Sequence, residues 1–214
     1  MSKRTSKAEQ GFSLLEMVLV VMLAFVVMAF AVINTFSTTQ NARANAAMDA
    51  VVSVLRQARE LAIAKRRNVQ VNFIQPNEIQ LTLLTLPGEA VPTPITPVYL
   101  NDNAGGGLTF TLFAGLPDTP MNFGNSTAIS LQQPTGGGAW SVMFTTSGAL
   151  VGSSQSAASL YAVTNNNPVN ASIFIGLAGK PNTARAITVF GATGRVRAYH
   201  WTGGASGSVT SWLE

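Results

Sequence analysis

The feature that most constrains this chain is an almost unbroken apolar run near its start. Of the 22 residues from 12 to 33, 20 are apolar, and the exceptions are Ser13 and Glu16. A helix needs ~20 residues to cross the hydrocarbon core of a bilayer, so the run has the length of a membrane span. Basic residues dominate the segment before it, which predicts a cytoplasmic N-terminus and a head on the other side of the membrane.

The composition makes most catalytic classes improbable. The chain has 214 residues, 47% apolar and 10% charged, so it can bury a core and does not have the composition of a disordered protein. It has no cysteine and one histidine, His200, which excludes disulfides, thiolate chemistry and a histidine metal cluster. The glycine-containing run at 176–180 is followed by Pro181, so it is not a phosphate-binding loop. We expect no enzymatic activity and no cofactor.

Glu16 is the one charged residue of the apolar run. A carboxylate at the edge of a lipid-embedded helix costs about 2–3 kcal/mol, so a cationic partner is expected. Two other interpretations are an uncleaved anchor, in an ordinary single-pass protein that never assembles, and a secretory signal peptide cut after the small-x-small sequence at 29–31. The signal-peptide interpretation gives Glu16 no role.

The sequence Gly-Phe-Ser-Leu-Leu-Glu at 11–16 follows a short basic leader and opens the apolar run. This segment resembles the prepilin-peptidase recognition sequence of type IV pilins and type II secretion pseudopilins. The resemblance implies that residues 1–11 are a leader cut after Gly11, that the amine of Phe12 is then methylated, and that Glu16 is retained for assembly. It also implies a single-pass protein of the bacterial inner membrane with a periplasmic head.

An electrostatic argument agrees with this resemblance. Cleavage after Gly11 would create an ammonium group at Phe12, beside lipid, and Glu16 of a neighbouring subunit could neutralise it. At ~4 Å and an effective dielectric constant of ~20, the attraction is about 4 kcal/mol before desolvation is subtracted. Subunits would then pair in a staggered register.

Residues 34–67 are predicted to continue the helix beyond the span at 12–33 as an amphipathic segment. Its apolar positions recur at helical spacing, and we expect them to pack on the sheets that follow. They are Met48, Val51, Val52, Leu55, Ala58 and Ala62. Lys65, Arg66 and Arg67 are interpreted as a C-terminal cap, with a phosphate site as the alternative.

Residues 68–214 change to an apolar period of two, which indicates antiparallel strands with one buried face. Alternating segments begin at Val69, Ile79, Leu108, Trp140, Ile173 and Ile187. The predicted fold class is α+β and pilin-like: a long N-terminal helix, transmembrane in its first half, whose second half packs on two small sheets of a periplasmic head.

Three segments of this region resemble one branch of the pilin family. The helix-to-strand junction at 54–71, the run at 144–148 and the ending at 189–197 are similar to the minor pseudopilin H group (GspH) and its pilus relatives FimT and FimU. The resemblance implies a structural minor subunit. Its partners would be a prepilin peptidase, other major and minor pilins or pseudopilins and, in secretion, the secreted cargo or an outer-membrane channel.

The segment at 194–201 supports a different hypothesis. Period two places Arg195, Arg197, Tyr199 and Trp201 on one face, where arginines could hold phosphates and the rings could stack on bases. The segment also resembles the Gly-Arg-x-Arg motif of DNA-uptake FimT pilins, so a DNA-binding minor pilin is the alternative function. The structural interpretation is a terminal strand with solvated arginines and partly buried rings. From residue 68 onward four basic residues face five acidic ones, which weighs against strong nucleic-acid binding.

Overall fold

The computed structural model describes residues 13–84, 93–95, 97–100, 107–132, 137–138, 140–152, 167–203 and 212–214, without the side chains of 31–37 and 137–138. The chain forms two compact units, Met1–Gln40 and Asn41–Glu214. Gly11 and Phe12, at the predicted cleavage site, lie outside the described residues.

Helix α1, Leu14–Lys65, supplies all the described regular structure of the first unit. The carbonyl of Ser13 begins the helix by accepting hydrogen bonds from the backbone nitrogens of Glu16 and Met17, at 2.9 and 3.2 Å. Every large apolar side chain between residues 14 and 30 is at least 47% exposed. No helix within the described part of the chain combines the length and the hydropathy needed to cross a membrane.

The helix ends in the second unit, where Arg66 adopts a left-handed conformation with φ of 51°. The backbone nitrogen of Arg67 donates to Ala62 O at 3.2 Å, and that of Arg66 donates to Ile63 O at 3.3 Å. These bonds satisfy carbonyls that have no partner inside the helix. Through Nε and Nη2, the Arg67 guanidinium donates to Leu84 O at 2.9 and 2.7 Å. The predicted C-terminal cap is confirmed.

The described part of the second unit contains thirteen strands. They are β1 Val69–Ile74, β2 Glu78–Leu83, β3 Thr93–Pro94, β4 Val98–Tyr99, β5 Leu108–Phe110, β6 Ile129–Leu131, β7 Gly137–Gly138, β8 Ser141–Phe144, β9 Leu150–Gly152, β10 Ala171–Leu177, β11 Lys180–Phe190, β12 Arg195–Trp201 and β13 Trp212–Leu213. The six segments predicted from alternation are all strands, which confirms that part of the prediction.

The strands form two antiparallel sheets. The first has the order β3-β2-β1-β8-β9, with β4 also paired to β2. The second has the order β13-β12-β11-β10-β6-β7, with β5 also paired to β10. The predicted α+β class and the two antiparallel sheets are therefore confirmed.

The main core lies where helix residues of the second unit meet both sheets. The predicted helical stripe is buried there, with Val51, Leu55, Ala58 and Ala62 fully covered and Met48 partly covered. Both sheets contribute apolar side chains to the same cluster. Each fully buried valine, leucine or isoleucine contributes about 1.5–3 kcal/mol, so this stripe is a principal source of stability.

A second core covers the opposite face of the second sheet. It consists of Phe174, Ala184, Ala186, Tyr199, Trp201 and Trp212, with loop residues Leu112, Phe113, Leu116 and Met121 packed against them. The ring centroids of Trp201 and Trp212 are 5.2 Å apart in an edge-to-face arrangement. The prediction of one buried face per strand is therefore wrong for this sheet, because loop residues and Trp212 cover its outer side.

Candidate functional site

The first candidate site is Glu16, in the first turn of α1. Glu16 is exposed, and it is the only charged residue between 13 and 40. Within the described residues it has no ion pair. A carboxylate in the first turn gains about 0.3–1 kcal/mol from the helix dipole, which is less than the about 2–3 kcal/mol that lipid burial would cost. Lipid burial of Glu16 would therefore leave a cost that only an external cation could offset.

The second candidate site is a cleft in the second unit, which we call the arginine cleft. Its cavity volume is about 660 Å³. It is lined by Arg56, Arg59, Glu60, Thr193, Gly194, Arg195, Val196, Arg197 and Glu214. Four arginines and two glutamates are among the lining residues, so the lining has a net positive charge. Sequence reasoning found Arg195 and Arg197 but not Arg56 and Arg59, because only the fold brings the helix beside β12.

The turn between β11 and β12 is held against the helix by Arg59. Its Nε donates to Thr193 O at 3.0 Å. Gly194 has a φ of +64°, and a Cβ there would lie 2.7 Å from Arg59 Cδ and collide with Gly148 O. Glycine is therefore required at 194, where the turn touches both the helix and the loop of Gly148. This packing sets the position of Arg195, the next residue.

Arg195 and Arg197 differ in their surroundings. In the register of β11 and β12, Arg195 is opposite Phe190 and Arg197 is opposite Thr188. Arg195 is exposed and forms no ion pair with any described residue. Arg197 Nη1 lies 3.3 Å from Glu214 Oε2. The Tyr199 hydroxyl beside it, and then the Glu214 carboxylate, raise the pKa of Arg197 above its ordinary value. Among the described residues, that hydroxyl has no hydrogen-bond partner of good geometry.

Tyr199 and Trp201, predicted to stack on bases, are 3% and 8% exposed. They follow the arginines on the same face of β12, as the alternation predicts, but Trp212 and the loop residues of the second core cover them. A nucleic-acid base therefore cannot stack on either ring in this structure. The structural interpretation expected solvated arginines and partly buried rings; Arg195 is exposed as it expected, and the two rings are buried more completely.

Arg185 is a buried arginine that sequence reasoning missed. It is 4% exposed, and its guanidinium donates to Asn45 Oδ1 at 2.7 Å, Ala184 O at 2.8 Å and Asn182 O at 3.4 Å. Burial lowers its pKa from the ordinary value. A signal was present, because Arg185 has the same strand parity as Ile187 and Val189 on the core-facing side of β11.

The third candidate site is a groove on the outer face of the second sheet, which we call the apolar groove. Its cavity volume is about 320 Å³. It is lined by Met121, Phe123, Thr188, Phe190, Thr193, Arg195 and Arg197. The ring centroids of Phe123 and Phe190 are 6.2 Å apart, so the two rings form one wall. Its lining is mostly apolar, and Arg195 and Arg197 are its two charged residues.

Comparison with solved structures finds pilins and pseudopilins. A crystal structure of the type IV minor pilin FimU of Pseudomonas aeruginosa is 14% identical, with 84% of this chain and 96% of that chain covered and a TM-score of 0.43. The minor pseudopilin EpsH from the type 2 secretion system of Vibrio cholerae is 14% identical, with 74% and 97% covered and a TM-score of 0.42. No protein-family model and no curated protein matches the sequence.

Proposed function

We propose that this chain is a structural minor pilin or pseudopilin subunit that is processed at residue 11 and assembled through its N-terminal helix. The observation that carries the proposal is the isolated charge of Glu16. No other charged residue occurs between 13 and 40, and the apolar side chains around it are exposed. This arrangement suits a helix that is covered by lipid or by other helices and that needs one cationic partner.

The proposed partner is the amine of Phe12 in an adjacent subunit, created by a prepilin peptidase. Before assembly, the apolar run at 12–33 would hold the chain in the inner membrane with its head in the periplasm. During assembly, neighbouring helices would replace lipid around the exposed apolar side chains. Other major and minor subunits are therefore partners, and in a secretion system the cargo or outer-membrane channel would contact the head.

Intact-mass analysis of the full chain, purified from membranes of cells with and without a prepilin peptidase, tests this proposal. We expect a peptidase-dependent loss of residues 1–11 and the added mass of one methyl group. Replacement of Gly11 by a bulky residue should leave the leader attached. An N-terminus at Val32, or an intact leader in the presence of the peptidase, would reject the pilin hypothesis in favour of a signal peptide or a simple anchor.

A second candidate function is DNA binding by the head. The arginine cleft supports it, because Arg56 and Arg59 add to Arg195 and Arg197 and the net charge there is positive. The burial of Tyr199 and Trp201 limits this function to phosphate contacts, since their rings cannot stack on bases. Salt-dependent binding to duplex DNA, described in the Discussion, tests it.

A further inference from the structure

We propose that the apolar groove binds a partner peptide that carries an aromatic or large aliphatic side chain next to a carboxylate. The apolar part of the ligand would enter between Phe123, Phe190 and Met121. Its carboxylate would pair with Arg195 at the rim. The proposal concerns the head alone and does not depend on processing or on filament assembly.

The size and lining of the groove determine the apolar half of this ligand. About 320 Å³ is at the small end of the range for ligand pockets, so one large side chain would occupy much of it. Thr188 is 2% exposed, while Phe190 is 40% exposed and available to a ligand. Covering an exposed aromatic ring with a partner side chain is favourable because apolar surface leaves water.

The two arginines determine the acidic half. Arg197 already pairs with a carboxylate, that of Glu214. Arg195 lies two residues earlier on the same face of β12, lines the same groove and has no ion pair with any described residue. A guanidinium group presents a planar set of donors that matches a carboxylate. A ligand carboxylate beside the apolar side chain would therefore pair with Arg195, as the Glu214 carboxylate pairs with Arg197.

The geometry favours a peptide over nucleic acid at this groove. The phosphate backbone of DNA has no apolar group that would fill a groove lined by phenylalanine and methionine side chains. The two rings that the sequence predicts to stack on bases, those of Tyr199 and Trp201, are buried and do not line the groove. The arginine cleft, where two more arginines contribute, is the surface better suited to phosphates.

Fluorescence polarisation with the full chain in nanodiscs tests the proposal, with empty nanodiscs as the blank. The probes are three fluorescein-labelled peptides with glycine flanks and a central Phe-Glu, Phe-Gln or Gly-Glu pair. We expect the Phe-Glu peptide to bind at least ten-fold more tightly than either control peptide. Equal binding of the three peptides, or no binding of any, would overturn the proposal.

Single substitutions then test which residues bind the apolar part of the peptide and which bind its carboxylate. Arg195→Gln should weaken Phe-Glu binding at least five-fold without changing Phe-Gln binding, and Phe190→Ala should weaken both. Arg43→Gln removes another exposed arginine, on the helix and outside the groove lining, and should change neither. Because Arg195 is exposed, its replacement leaves the fold intact even if Phe190→Ala lowers the melting temperature.

Three outcomes would refute the assignment. Equal losses from Arg195→Gln and Arg43→Gln would indicate attraction to net charge alone. Arg195-dependent binding of a 12-base-pair duplex without any peptide binding would assign the rim to nucleic acid. Self-association of the chain that is lost on Arg195→Gln would assign the groove to a second copy.

Discussion

The Nε atom of Arg185 donates a hydrogen bond to Asn45 Oδ1 across 2.7 Å, although 140 residues separate them in the sequence. The same guanidinium also donates to Ala184 O at 2.8 Å. A side chain of β11 therefore ties the second sheet to the helix within the second unit. The positive charge of Arg185 is hydrogen-bonded to neutral oxygens, since none of the described residues provides a carboxylate partner.

We expect Arg185→Ala to lower the free energy of unfolding by about 2–4 kcal/mol, because several hydrogen bonds from a buried charged group are lost, including the one to the carbonyl of Ala184. Arg185→Met should cost less, since it keeps packing volume and removes a buried charge. Urea unfolding of the full chain in detergent, followed by tryptophan fluorescence, measures both. Arg43→Ala, at an exposed position of the same helix, should stay within about 0.5 kcal/mol of the parent. Equal losses at 185 and 43 would contradict this account.

The turn glycines give a matched pair of substitutions. Gly194→Ala introduces a left-handed alanine whose Cβ collides with Gly148 O, whereas Gly179→Ala introduces one at φ +74° with nothing within 4 Å. A left-handed non-glycine residue costs about 1–2 kcal/mol, and we expect Gly179→Ala to lose only that amount. Gly194→Ala should lose at least about 1 kcal/mol more in the same unfolding measurement. If both lose the same amount, the close approach of the turn to Gly148 and Arg59 is wrong.

Two serines that are cross-strand partners in the second sheet should respond differently to removal of the hydroxyl. Ser172 and Ser130 are opposite each other in β10 and β6, and they are 0% and 2% exposed. Ser130 Oγ donates to Thr127 O at 3.0 Å and accepts from Thr127 N at 3.1 Å. Ser172 Oγ has no hydrogen-bond partner within the described structure.

We therefore expect Ser130→Ala to lower the free energy of unfolding by about 1–3 kcal/mol, because Thr127 N loses its acceptor. Ser172→Ala should leave stability unchanged or raise it by up to about 1 kcal/mol, because an unpaired buried hydroxyl is removed. Thermal and urea unfolding of the two variants side by side provide the comparison. A loss at Ser172 as large as that at Ser130 would mean that the Ser172 hydroxyl has a partner.

Periodicity predicted the main core well, because both periods follow directly from side-chain geometry. Val51, Leu55 and Ala58 face the sheets as the helical spacing requires, and Val69 and Val71 alternate inward as the strand spacing requires. It did not predict the second core, since the residues covering Tyr199 and Trp201 come from a loop and from Trp212. Contacts between segments that are far apart in the sequence leave no periodic signal in it.

The same limit applies to the arginines. The spacing at 194–201 placed Arg195 and Arg197 on one face, but only the fold shows that Arg59 holds the preceding turn through Thr193 O. It also shows that Arg197 is engaged by Glu214 while Arg195 is not. The structure therefore distinguishes two arginines that the sequence pattern places in equivalent positions.

If the head binds DNA through the arginine cleft, the two arginines should contribute unequally. Arg195→Ala should weaken binding of the full chain to duplex DNA more than Arg197→Ala, because Arg197 must first give up Glu214. Each phosphate contact removed should lower the slope of log affinity against log salt by about 1. Polarisation titrations from ~50 to ~200 mM salt measure both quantities. Absence of binding at ~50 mM salt, or an unchanged affinity when Arg195→Ala and Arg197→Ala are combined in one variant, would eliminate the DNA hypothesis.

The assembly hypothesis makes its sharpest prediction at Glu16. Glu16→Ala and Glu16→Gln should both abolish or strongly reduce incorporation into a filament, because either removes the negative charge that would meet the Phe12 amine. Glu16→Asp keeps the charge on a shorter side chain and should retain part of the incorporation. The amount of protein in sheared filament fractions, relative to the amount in membranes, measures the effect while correcting for expression.

Loss of the leader should be unaffected in these variants, and intact mass checks it, so a failure of processing is distinguishable from a failure of pairing. A charge-independent helix-packing role would instead allow glutamine, which has nearly the shape of glutamate, to replace it without loss. The attraction at issue is about 4 kcal/mol at ~4 Å before desolvation, enough to change incorporation by more than ten-fold if even half of it remains. Wild-type incorporation of Glu16→Gln would therefore remove the electrostatic basis of the proposed function.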